Sequence, residues 1–146
     1  MNHATEPLMP ELGGTYRMSI TVGEHSARHI RAILHTFLHS WGLPELVDGA
    51  GLALTELVAN VVRHVPDRRC AVLILRRPEG LRVEVYDGVA ACPGPVRGGD
   101  PLAETGRGLL LVEAVTDRWG VDPSPHTGGG KTIWFECDGP GPGLGW

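Results

Sequence analysis

Lysine is the scarcest charged residue: of thirteen basic side chains, only Lys131 is one. Seventeen acidic residues stand against those thirteen, giving a formal net charge of -4 and no basic excess to hold a nucleic-acid backbone. Cysteine is almost as rare. Cys70, Cys92 and Cys137 are odd in number, widely spaced and in no CxxC pair, which excludes a disulfide framework and a zinc ribbon. A reducing cytoplasm is the expected location. No apolar stretch approaches the ~20 residues of a membrane-spanning helix, and no basic segment followed by an apolar run opens the chain. Neither nucleic acid nor a membrane is an expected partner.

What is present is the composition of one soluble domain, 146 residues of which 42% are hydrophobic. Residues 1–14 read as a flexible leader and 139–146 as a disordered Gly/Pro tail, leaving 15–138 as the domain. Tyr16 to Val22 alternates apolar and polar residues, the period of a half-buried strand. From Glu24 to Trp41 the spacing changes to that of a helix, which Gly42 and Pro44 end. It carries His25/His29 and His35/His39 at i, i+4. Such pairs can chelate zinc, but with no carboxylate or cysteine partner they read as surface histidines.

A second helix spans Glu45 to Val65. Leu54, Leu57, Val58, Val61 and Val65 make its apolar stripe, while Glu56, Asn60 and His64 share another face at i, i+4 and i+8. A carboxylate one turn from a carboxamide suits an oxygen-rich ligand with a hard cation. Mg2+ accepts few protein oxygens, so Asn60 alone is a sufficient anchor, and Glu56 is placed to orient or deprotonate a nucleophile. The rival reading makes all three the wet side of an amphipathic helix.

Cys70 to Arg76 and Leu81 to Tyr86 read as a hairpin around Pro78-Glu79-Gly80, with Asp87 where the second strand gives way to a loop. Gly88 to Thr105 is a long loop rich in Gly and Pro. It ends in Gly106-Arg107-Gly108, before a helical run from Leu109 to Trp119. Glycines opening a helix let backbone N–H groups approach an anion, and phosphate is the natural candidate. A Rossmann reading fails because Leu111 stands where the third glycine belongs. Gly130-Lys131-Thr132 is no P-loop either, since Pro125 occupies the required glycine and a strand follows. Trp119 to Val121 is a possible short strand, and Thr132 to Cys137 is the last. The expected fold is α+β, a two-layer sandwich with helices on one face of a mixed, largely antiparallel sheet.

Four features in fixed order resemble the GHKL superfamily of histidine-kinase-like ATPases: Glu56-x-x-x-Asn60-x-x-x-His64, Asp87, Gly106-Arg107-Gly108 and Gly130-Lys131-Thr132. The wording Thr-Glu-Leu-Val-Ala-Asn-Val-Val-Arg-His, and Gly-Arg-Gly-Leu-Leu-Leu-Val-Glu-Ala-Val further on, is most similar to its anti-sigma branch, the RsbW-like serine/threonine protein kinases. The resemblance covers Tyr16 to Glu136. It implies ATP and Mg2+ as cofactors, Asn60 as the Mg2+ ligand and Glu56 as the catalytic base. Asp87 would accept the adenine amino group, supported by Thr132. Gly106, Gly108, Arg107 and His64 would attend the phosphates, with Arg63 a weaker candidate. The implied partners are a sigma factor and an anti-anti-sigma protein of the STAS type, and relatives of this kind are commonly homodimers.

The chain departs from the family at the adenine box. Where Asp-x-Gly-x-Gly is expected it has Asp87-Gly88-Val89-Ala90-Ala91. That departure bears on affinity and turnover, and it keeps open a non-catalytic, nucleotide-gated protein-binding module.

Overall fold

The computed structural model describes residues 14–90, 104–123 and 129–140, with the backbone alone for 104–108. The alternating stretches form five strands and the helical stretches three α-helices. Strand β1 (Thr15–Thr21) is followed by α1 (Ser26–Ser40) and, after a 3-10 turn at Pro44–Leu46, by α2 (Val47–His64). The hairpin is β2 (Arg69–Arg77) and β3 (Gly80–Asp87). Helix α3 (Glu104–Val115) then precedes β4 (Arg118–Pro123) and β5 (Lys131–Asp138). No helix among the described residues is long and apolar enough to cross a membrane.

The sheet runs β1-β2-β3-β5-β4, and its four pairings are all antiparallel. The parallel component of the expected mixed sheet is therefore missing among the described strands. β4 and β5 pair with each other as successive antiparallel strands, and that pair docks β5 against β3 in the same sense.

Alternation decides which face each residue serves. Val72 and Ile74, Leu81, Val83 and Val85, and Ile133, Phe135 and Cys137 all turn to the helices and are buried. Against them pack Ile30, Leu34, Phe37 and Leu38 of α1, Leu109 and Val112 of α3, and the whole predicted stripe of α2. Each fully buried Leu, Ile or Phe contributes ~1.5–3 kcal/mol relative to exposure, so this one face carries most of the apolar stabilisation.

The other face carries charge. Glu136 accepts hydrogen bonds from Arg82 at 2.8 Å and Arg118 at 2.9 Å, and the Arg82 guanidinium lies 4.3 Å from the centre of the Trp134 ring. That ring rests on Gly120, where an added Cβ would come within 2.8 Å of it.

Both ends of α3 and both ends of the domain differ from expectation. Helix α3 begins at Glu104 and takes Gly106 and Gly108 into its first turns, and it stops at Val115, short of Trp119. Glycine in a helix costs up to about 1 kcal/mol each, and the packing of Leu109 and Val112 offsets this. At the other end, the Asp117 amide already donates to the Glu136 carbonyl at 2.9 Å, so strand pairing claims Trp119. Gly139, assigned to the tail, donates to the Glu79 carbonyl at 2.6 Å, and Gly14, assigned to the leader, accepts from Arg76 at 2.6 Å. The rest of the leader, the tail beyond residue 140 and most of the long loop lie outside the described residues.

Candidate functional site

Chain connectivity puts the candidate residues at one end of the molecule. Only residues 65–68 separate the end of α2 from the start of β2, so Cys70 lies near that end. Cys70 stands opposite Asp87, and Asp87 opposite Lys131, extending the row across three strands. Asn60 is one turn from the end of the same helix. Helix α3 packs along α2, with Gly49 meeting the Val115 carbonyl. Because α2 starts at Val47, α3 can keep that packing only by running back toward Asn60, which carries its glycine-bearing first turn to the same end.

Asp87 and Lys131 are 3% and 2% exposed, on the helix-facing side of the sheet. Lys131 Nζ donates to Asp87 Oδ1 at 2.9 Å and to the Val89 carbonyl at 2.8 Å, and the Val89 amide donates to the same Oδ1 at 2.8 Å. The negative charge reaches across the ladder. Burial first, and then the charge of Asp87, push the Cys70 thiol up to about 11.

Asn60 is also 3% exposed, so the face it was expected to share with Glu56 and His64 is not uniformly wet. Glu56 is half-buried and His64 is exposed. Arg63 donates to Asn60 Oδ1 at 3.2 Å, which fixes the orientation of the carboxamide, whereas Nδ2 is buried without a partner among the described residues. A buried donor left unmet costs ~1–3 kcal/mol unless a ligand accepts from it.

One expected member stands apart. Thr132 pairs with Tyr86 on the opposite face of the sheet from Asp87. The residue that meets Asp87 is Lys131, which sequence reasoning set aside with the failed P-loop pattern. A signal was present: Lys131 is in phase with Ile133, Phe135 and Cys137, and a lysine in a core register requires a buried counter-charge. The Arg107 side chain lies outside the described residues, as does any contact it makes. A groove of about 390 Å3 borders Asp87, but Ser19, Ala71 and Tyr86 place it on the helix-free face, and neither Glu56 nor Asn60 lines it. The His35 and His39 rings meet edge-on with centroids 4.2 Å apart on the exposed side of α1, and no group of three or more potential metal ligands occurs among the described residues.

A family model described as the histidine kinase-like ATPase domain matches residues 21–136. The chain belongs to that family. No curated protein matches it. A histidine kinase-like ATPase domain implies ATP as the ligand, and the residues described here fit one. Asp87 is a fixed acceptor, Asn60 Nδ2 is a buried donor without an acceptor among the described residues, and Asn60 Oδ1 keeps a second lone pair beside the Arg63 bond. The first turn of α3 adds backbone N–H groups without intrahelical partners.

Proposed function

We propose that the chain is an ATP-dependent serine/threonine protein kinase of the anti-sigma type, phosphorylating an anti-anti-sigma partner of the STAS type and sequestering a sigma factor. The observation that carries this reading is the buried, half-satisfied Asn60 carboxamide one turn from Glu56. A helix serving only the fold would not keep such a group in its interior.

Bound Mg-ATP supplies a transferable phosphoryl group. Asn60 would hold the cation through Oδ1, and Glu56 would draw the proton from the attacking serine. Asp87 would accept the adenine amino group. Amides of the first turn of α3, including that of Gly106, would hold phosphate oxygens, and Arg107 and His64 would face the same charge.

A second reading is favoured by specific observations. Asp87 Oδ1 is already held by Lys131, and the adenine-box glycines are replaced by Val89 and Ala91. Both suit a nucleotide-gated binding module that transfers nothing. To separate the two, the protein is incubated with γ-labelled ATP and an anti-anti-sigma protein. The kinase reading expects label on a partner serine, lost in Glu56→Ala while calorimetric ADP binding persists, and loss of Mg2+-dependent binding in Asn60→Ala. Binding without transfer in the wild type would sink the kinase and leave the module.

A further inference from the structure

Resting on the nucleotide reading above, we propose that Lys131 is the specificity-determining residue of the site, fixing the Asp87 carboxylate so that it selects a purine carrying a 6-amino group.

Lys131 is the chain's only lysine, and it occupies a strand position where its neighbours in phase are Ile133, Phe135 and Cys137. An ammonium in that register is costly to desolvate, so its bonds matter. It spends one N–H on Asp87 Oδ1 and one on the Val89 carbonyl, while the Val89 amide takes the same Oδ1. With two donors on Oδ1, the carboxylate cannot turn about its own axis without breaking both bonds. The backbone adds to the constraint. Gly130, at φ +102°, brings its Cα so close that an added Cβ would lie 2.7 Å from the Asp87 carbonyl. The oxygen left for a base is Oδ2, which carries no bond among the described residues.

A fixed carboxylate oxygen is an acceptor only. It receives the N–H of a 6-amino group and repels a 6-oxo group. Released from Lys131, the carboxylate would be free to swing toward the N1–H that a 6-oxopurine carries, and the discrimination would fall. Lys131 acts through Asp87, as a positioning residue.

The test compares ADP with inosine diphosphate by calorimetry in the wild type, Lys131→Met and Lys131→Gln. The wild type is expected to prefer ADP by about ten-fold or more, the worth of one well-made hydrogen bond against an unmet one. Lys131→Met should bring the two within about three-fold, and Lys131→Gln, which keeps a donor for Oδ1, should retain part of the preference. A purely structural role would weaken both nucleotides by the same factor and leave the ratio unchanged, which overturns the proposal. Because there is one lysine, protein labelled with 15N at lysine Nζ yields a single side-chain ammonium signal, and this decides the matter even if the variants do not fold. That signal should move on adding ADP and stay in place with inorganic pyrophosphate; indifference to ADP at saturation would overturn the role of Lys131. A wild type that binds neither nucleotide would overturn the nucleotide reading itself, an outcome distinct from binding with an unaltered ratio.

Discussion

Lys131 and Asp87 face each other across the β3–β5 ladder and form a 2.9 Å ion pair that is almost sealed from water. Such a pair adds little net stability over an apolar pair, but removing one partner strands the other. Asp87→Asn and Lys131→Met should each destabilise the fold by ~3–5 kcal/mol, and the double variant by clearly less than the sum. Urea melts of the four proteins measure this directly. Additive losses would mean that the two charges do not compensate each other.

Asn60 should show the opposite behaviour. Its carboxamide is buried with Nδ2 unmet, so Asn60→Leu replaces an unsatisfied polar group by an apolar one of similar size. The unfolding free energy from urea melts should change by less than about 1 kcal/mol, in either direction, while Mg2+-dependent nucleotide binding is lost. A loss of several kcal/mol would show that Asn60 serves the fold.

The two described cysteines report on the same end of the sheet and on its far side. Burial, and then the charges of Asp117 and Asp138, push the Cys137 thiol up to about 12, and Cys70 stands at about 11. At pH 8 both are almost wholly protonated thiols, so iodoacetamide should leave both unlabelled in the native protein and label both in urea. Peptide mapping separates them from Cys92. Asp87→Asn removes the nearby negative charge and should raise the labelling rate of Cys70 alone. If both rise together, the substitution has opened the fold.

The fold was largely legible because two periods, alternation and the helical repeat, recorded which side of each element is buried. The apolar stripe of α2 and the alternation of β1 followed from that directly. The site was legible only where its residues share one element. Glu56, Asn60 and His64 lie on a single helix and could be grouped from spacing alone, yet their burial differs because it depends on neighbouring elements. Thr132 and Lys131 show the limit more clearly. Adjacent in sequence, they point to opposite faces, and only the β3–β5 register shows which of them meets a residue forty-four positions away. Linear motifs attract attention to the wrong member of such a pair.

The helix-free face should make stability depend on acid. For Glu136, burial alone would raise the carboxyl, but hydrogen bonds from Arg118 and Arg82 and the charges of Arg77 and Arg82 outweigh it and hold the group below its usual 4.5. For Asp138, the hydrogen bond from Arg118 dominates over burial, aided by Arg77, and the carboxyl falls below 3.8. Both groups bind protons more weakly folded than unfolded. Their contribution is therefore complete above about pH 4.5 and lost as the pH falls through the depressed folded values. Glu136→Gln should lower the urea midpoint by a constant amount between pH 7 and about 5, with the gap to wild type closing as the pH drops toward 3. Arg82, which lies over Trp134, would keep its bond to Glu84 and lose the charge of its other partner, so the change should be visible in tryptophan fluorescence. A gap that persists undiminished at pH 3 would mean that Glu136 contributes by packing and that its ion pairs contribute nothing.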